Sequence, residues 1–140
     1  MKKVSTEYRV LYADIDALGV VYHSNYFVMF ERGRGEFFRQ IGYPYAELER
    51  IGVAFPCTEA WCEYKHPAKY DDLVEITAWA SKISYTRIWM QCEIRLKETG
   101  ELLVKGHTVH AFVGKDLKPI RANKVIPEFY ALLYGLAEEK

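Results

Sequence analysis

Asp16 and His23 stand seven residues apart, just ahead of a stretch patterned as a helix. A carboxylate can act as a general base or nucleophile, and a histidine titrates near neutral pH. The helix N-terminus that follows adds free backbone N–H groups and the positive end of the helix dipole. These are the parts needed to attack a carbonyl and to hold the charge that develops on its oxygen. The same residues have plainer uses: Asp16 bracing a glycine-containing turn, Ser24 or Asn25 capping the helix, and His23 standing in solvent. Type and spacing leave both uses open.

Other groups that carry chemistry are scattered. His107 and His110 are the one other close histidine pair, but three apart on a strand they face opposite ways, which does not suit a shared metal. No metal or cofactor is expected. Cys57, Cys62 and Cys92 cannot all pair within one chain and form no C-x-x-C motif, so they read as core or interface thiols of a reducing compartment. Five apart on a regular strand, Cys57 and Cys62 fall on opposite faces. Glu59 and Asp71 are further carboxylates, read as structural. Lys118 and Arg121 flank Pro119 in a polar loop, either as solvated charges or as contacts for a polyanion.

The elements that must position these groups follow from periodicity. Residues 26–41 read as the main helix, with Tyr26, Phe30, Gly33, Phe37 and Ile41 recurring at three- and four-residue steps. Gly33 and Gly35 each cost that helix roughly 1 kcal/mol relative to alanine, a cost offset if its axis must come close to a sheet. Gly42 and Pro44 close the helix, and residues 45–51 read as a short second one. Strands are expected at 6–13, 53–65, 73–82, 85–97 and 101–113, with Thr99-Gly100 as the turn of an antiparallel hairpin. Residues 124–137 read as a C-terminal helix with Pro127 in its first turn. The order predicts an α+β fold, one antiparallel sheet with a helix laid on it.

With 140 residues, the chain suits a single domain over 1–140. Half the residues are hydrophobic and 27% are charged, which excludes disordered and fibrous classes. Nineteen basic residues balance nineteen acidic ones, which weighs against a nucleic-acid binder. No apolar run reaches the roughly 18–20 residues of a membrane span, and the N-terminus has no signal-like apolar segment, so the cytoplasm is the expected location. Aromatic residues make up 15%, and the outward row of the fourth strand (Arg87, Trp89, Gln91, Glu93, Arg95) mixes charge with tryptophan, which favours an oligomer.

The run Asp16-Ala17-Leu18-Gly19-Val20-Val21-Tyr22-His23-Ser24-Asn25-Tyr26, with Arg9-Val10 before it, resembles the signature of the 4-hydroxybenzoyl-CoA thioesterase family. The acyl-CoA thioesterase branch linked to the Tol–Pal operon is the most similar. Glu31-Arg32, Pro67-Ala68-Lys69-Tyr70-Asp71-Asp72 and Lys118-Pro119-Ile120-Arg121 resemble further family landmarks, so the likeness covers most of residues 7–121. Two positions depart from it: Ile15, where threonine or cysteine is usual, bearing on acyl preference, and Ala122, where proline is expected.

The resemblance implies the hotdog fold, a long central helix wrapped by a five-stranded antiparallel sheet. It implies homodimers or homotetramers with active sites between subunits. It places the catalytic aspartate at Asp16, with Tyr12 and His23 joining it, and the oxyanion donor at the backbone N–H of His23. Tyr22, Asn25 and Tyr26 of the signature, with Lys118 and Arg121, are the expected substrate contacts, the two cations meeting the CoA phosphates. Asp16 then either attacks the thioester to form a mixed anhydride or activates a water. The CoA thiolate leaves readily, because its pKa is near that of a free thiol. A hotdog dehydratase is a poorer fit, since no histidine accompanies Glu31 within one helical turn. The rival of another class is a non-catalytic acyl-CoA or acyl-carrier binding module.

Overall fold

The computed structural model describes residues 1–140. The elements run β1 (Lys3–Arg9), α1 (Asn25–Gln40), α2 (Tyr45–Arg50), β2 (Cys57–Tyr64), β3 (Leu73–Ile83), β4 (Arg87–Leu96), β5 (Leu102–Ala111), α3 (Ala122–Val125) and α4 (Pro127–Leu136). The five strands form one antiparallel sheet in the order β1-β3-β4-β5-β2.

Alternation sets the two faces. Val74, Ile76 and Ala78 of β3, Met90, Cys92 and Ile94 of β4, and Val104 of β5 are buried on the inner face. On that face lies α1, which buries Tyr26, Met29, Phe30, Gly33, Phe37 and Phe38. Gly33 is where helix and sheet touch. A Cβ built there would stand 2.8 Å from Ile76 Cγ2 and 3.2 Å from Ala78 Cβ. Gly106 does the same from the sheet side, where a Cβ would stand 2.7 Å from Phe30 Cε2. Gly35 is different: a Cβ there would meet Tyr45 Cε2 at 3.5 Å, an ordinary contact.

Three expectations change in detail. The first strand occupies Lys3–Arg9 rather than 6–13, because after Arg9 the chain leaves the sheet for a 3₁₀ turn at Tyr12–Asp14. The C-terminal helix is split into α3 and α4 at Ile126 (φ −132°, ψ 61°), as the restriction on a residue before proline requires. A bulge lies between Cys57 and Glu59, so Cys57 pairs with His110 and Cys62 with Gly106, both on one side of the sheet instead of opposite sides.

The departure at Ala122 has a local reason. Its backbone N–H donates to Tyr85 O at 2.6 Å, a bond that proline could not make.

The glycines of α1 make a matched test. Gly33→Ala should lower stability by about 1–3 kcal/mol through overpacking against Ile76. Gly35→Ala should raise it by about 0.5–1 kcal/mol through helix propensity. Thermal melts should move in opposite directions. A higher Tm for Gly33→Ala would show that the close approach does not need glycine.

Candidate active site

Asp16 opens a tight turn in which Gly19 N–H donates to Asp16 O at 3.0 Å and Gly19 adopts φ +80°. The Leu18 N–H donates to Asp16 Oδ1 at 2.8 Å. This Asx-type bond fixes the carboxylate and leaves Oδ2 with no protein partner. Four residues on, Asp16 N–H returns to Val20 O at 2.9 Å, so the turn is closed on itself.

A second carboxylate, which sequence reasoning passed over, holds this loop to the helix. Asp14 Oδ2 accepts from the Tyr8 hydroxyl at 2.5 Å and from Leu11 N–H at 2.8 Å. Its backbone oxygen accepts from Tyr22 N–H and from the Asn25 side-chain amide, both at 2.9 Å. Burial first, then the bond to Asp14, pushes the Tyr8 phenol up to about 12, while Arg32, whose guanidinium lies 4.4 Å from the ring centroid, opposes the rise. The D-x-D spacing of Asp14 and Asp16 was the available signal.

The head of α1 departs from simple capping. Ser24 is the N-cap residue, but it sits in helical conformation (φ −71°, ψ −21°) and its side chain makes no cap bond. The reason is the preceding turn, in which Asn25 N–H donates to Tyr22 O at 2.9 Å. The backbone N–H groups of His23 and Ser24 donate to no protein acceptor, so the helix opens on free donors. Asn25 is spent on the Asp14 latch.

A cleft of about 260 Å³ is lined by Asp16, Val20, Val21, His23, Tyr26 and the segment Tyr64-Lys65-His66-Pro67. The fold therefore brings Asp16, His23 and Tyr26 together. The Tyr26 hydroxyl accepts from Ala68 N–H at 3.1 Å, and its pKa is raised mainly by burial, with the Asp16 charge adding to the rise. Tyr64, another residue missed in the sequence, donates its hydroxyl to His23 O at 3.0 Å and has a pKa pushed up to about 12, mainly by burial. Its position just before the Pro67–Asp72 landmark was its signal. The His23 ring lies between Tyr22 (centroids 4.3 Å) and Tyr64 (6.5 Å) and makes no ion pair with Asp16.

Other expected residues lie elsewhere in the single chain. Tyr12 is 76% exposed and stands edge-on to Tyr70 at 5.8 Å. Ile15 packs against the hydrophobic core and does not line the cleft. Glu59 is 3.9 Å from His107, and Asp71 is 3.9 Å from Arg9, both surface pairs. Lys118 and Arg121 lie beyond the far end of β5, where Val113 bridges to Pro119 and Arg121 stacks over Tyr85 at 4.8 Å. His107 stacks on Trp61 at 5.5 Å, while His110 is buried on the other face of the sheet.

His110 belongs to a second, larger cavity of about 450 Å³ between α1, α2, the 53–55 segment, β4 and β5. Its Nδ1 is 3.0 Å from Phe55 O and so carries the proton, which leaves Nε2 to accept from Thr108 Oγ1 at 2.8 Å. Burial holds its pKa below the ordinary value, and the charge of Arg34 acts in the same direction.

Comparison with known proteins places the chain. The chain is an α+β domain with a carboxylate beside a helix head in one cleft. Residues 10–132 match the Thioesterase-like superfamily, and the chain belongs to it. It is 35% identical to the acyl-CoA thioesterase YbgC of Haemophilus influenzae over 121 residues, 84% of this chain and 87% of that protein. A protein of Aquifex aeolicus is 47% identical over 68 residues, 49% of this chain and 53% of that protein. Among solved structures, a DHNA-CoA thioesterase from Staphylococcus aureus superposes with TM-score 0.89 at 32% identity, covering 94% of this chain and 89% of that one. The neighbours share the hotdog fold.

The depressed pKa of His110 gives a signed prediction. Between that value and the unfolded value of about 6.5, the unfolded chain binds more protons than the folded one. Stability therefore rises with pH through this window and falls as pH drops below about 6.5. Urea titrations from pH 7.5 to 5 should show that loss, and His110→Asn should reduce it. An identical pH slope in the variant would mean that His110 does not titrate with unfolding.

Proposed function

We propose that the chain is an acyl-CoA thioesterase that hydrolyses short-chain aliphatic or aromatic acyl-CoA to free acid and CoA. Its place is the Tol–Pal-linked branch that its signature resembles, with α1 wrapped by the sheet in the full hotdog manner. The observation that carries this reading is the shared cleft: Asp16, with one carboxylate oxygen unbonded, and His23, at a helix head with free N–H donors. No helix is long and apolar enough to cross a membrane, and the three cysteines are free, which suits a reducing cytoplasm.

In the proposed reaction the thioester carbonyl lies against the head of α1. The N–H groups of His23 and Ser24 stabilise the oxyanion. Asp16 Oδ2 attacks the carbonyl carbon, or takes a proton from the water that does. The C–S bond then breaks and CoA leaves as the thiolate, needing little acid assistance. In the first route the mixed anhydride is hydrolysed by water. Tyr26 lines the cleft around the acyl thioester, while Tyr22, packed on the His23 ring, and Asn25, bonded to Asp14, support it from beside the cleft. Tyr12, exposed and edge-on to Tyr70, is the third proposed catalytic residue with Asp16 and His23.

The working unit is proposed to be a homodimer or homotetramer with each site shared between subunits. β2 is an edge strand whose first five residues are exposed, including Trp61. The other edge, β1, carries Lys3, Glu7 and Arg9, charges that discourage pairing. Two β2 strands paired antiparallel about a two-fold axis satisfy both edges. Antiparallel pairing of this kind turns the Tyr64 end of one β2 toward the Cys57 end of the other. Within one chain, the His110 end of β5 lies about 20 Å along the strand from the Val104 end, at about 3.3 Å per residue. Across the paired edge, the His110 end of one subunit is turned toward the Tyr64 end of the other. That assembly supports roles for Lys118 and Arg121 at the CoA phosphates, because their loop lies at the His110 end.

Asp16→Asn keeps the Oδ1 bond to Leu18 and removes the reactive oxygen. Turnover of an acyl-CoA panel, followed by free thiol release, should fall at least about 100-fold with an unchanged melting temperature. More than a third of normal turnover in this variant would reject Asp16, and binding without hydrolysis by the unaltered protein would make the chain a binding module. His23→Ala keeps the backbone N–H, so the loss should be about 10- to 100-fold and smaller than that of Asp16→Asn. Equal or greater damage would make histidine the main base. Light scattering should give two or four times 16.3 kDa, and an active monomer would overturn the shared site.

A further inference from the structure

The larger cavity holds a group that the hydrolytic steps do not use. Arg34 projects from α1 into a space lined largely by apolar side chains, among them Phe38, Phe55, Ile88 and Met90. It is partly buried, yet no carboxylate lies within ion-pair distance of it, although Glu31 and Glu49 line the same cavity. Its Nη1 donates a long bond to Thr108 Oγ1 at 3.4 Å, and its other polar neighbour is the neutral Tyr45 hydroxyl, which also lines the cavity. A guanidinium taken partly from water without an anion is costly unless something else meets it.

The bonds around it have a direction. His110 gives its Nδ1 proton to Phe55 O and accepts at Nε2 from the Thr108 hydroxyl. The Thr108 proton is thus committed to His110, and its oxygen can only accept from Arg34. The chain Arg34 to Thr108 to His110 to Phe55 anchors one corner of the guanidinium at the wall of the cavity, with the Tyr45 hydroxyl beside it. Around them, Phe38 and Phe55 stack at 5.6 Å with planes 15° apart, a flat apolar wall. A cavity of about 450 Å³ with such walls and one cationic fork suits an apolar group that ends in an acceptor oxygen.

We infer that Arg34 is a specificity-determining residue: the cavity takes the acyl group, and Arg34 selects acyl groups whose end remote from the thioester carries an oxygen. Thr108 and His110 are positioning residues that aim it. This rests on the thioesterase reading and on the β2-paired assembly, which brings the cavity of one subunit beside the Asp16 cleft of the other. The shared ligand chemistry is the distal oxygen, whether of a carboxylate or of a phenol.

Matched substrate pairs test this: glutaryl-CoA against pentanoyl-CoA, and 4-hydroxybenzoyl-CoA against benzoyl-CoA. The unaltered enzyme should prefer the oxygenated member of at least one pair by about tenfold or more in kcat/KM, and the pair that responds identifies the oxygen. Arg34→Met should bring that ratio to within about threefold of unity, with Arg34→Lys between the two. Thr108→Val should lower the ratio in part, mainly through KM. Each ratio compares two substrates on one preparation, so loss of folded protein cancels. For variants without turnover, calorimetric Kd values of the same thioesters in the Asp16→Asn background read the same preference. A flat ratio in the unaltered enzyme, or a ratio that survives Arg34→Met, overturns the role of Arg34 while hydrolysis itself stands. If none of the four thioesters is hydrolysed, the thioesterase reading falls and takes this inference with it.

Discussion

The contact of α1 with the sheet at Gly33 is the constraint from which the rest follows. A helix usually stands off a sheet by the length of its side chains. Here the absence of a Cβ lets the axis settle onto Ile76 and Ala78, and Gly106 lets Phe30 settle from the other side. Interiors pack at crystal-like density, so this close fit fixes the rotation and height of the helix together. Once the middle of α1 is seated, its N-terminus has one place to be, at the rim of the sheet beside Tyr64. One flank of the helix brings Arg34 and Phe38 over the inner face of β4 and β5.

Seating the helix does not by itself position the carboxylate, which lies on an excursion of the chain between β1 and α1. Asp14 solves that problem. Its side chain is tied to Tyr8 on β1 and its backbone oxygen to Tyr22 and Asn25 at the helix head. The turn bearing Asp16 is therefore anchored at both ends to the elements that frame the cleft. Hydrogen bonds to an ionised carboxylate are stronger than neutral ones, which suits a loop that must hold geometry without a core of its own. Asp14 takes two donors on Oδ2 and two on its backbone oxygen and so holds the loop, while the proposed chemistry falls to Asp16, whose Oδ2 has no protein partner.

How much of this was legible in the sequence follows from the range of each interaction. Alternation in β4 and the three- and four-residue steps of α1 are local, and both elements were placed to within a residue or two. The bulge at Thr58 was not readable, because a bulge is a property of a strand pair, and it reversed the relative facing of Cys57 and Cys62. Asn25 looked like a cap because capping is the common use of its type. Its amide instead serves the Asp14 oxygen, a partner eleven residues away. Arg34 was invisible for the same reason, because its surroundings arise only when β5 is folded against the helix, and Tyr64 was marked only by its place just before the Pro67–Asp72 landmark.

The distribution of chemistry along β5 has a consequence for evolution of specificity. The cleft holding Asp16 and His23, the proposed site of bond cleavage, lies at the Val104 end of the strand near Tyr64, whereas the larger cavity and the Lys118–Arg121 loop lie at the Ala111 end. A thioester needs little beyond a carboxylate and an oxyanion cradle, because its leaving group is already good. The cleft that breaks the bond can therefore remain constant while the distant cavity changes to suit another acyl group. The two regions share one strand and one helix, so the fold tolerates this separation without loss of rigidity. The pairing proposed at β2 would bring them together in space while keeping them apart in each chain. Substitutions in the larger cavity thus lie apart from the Asp14 bonds that hold the Asp16 turn.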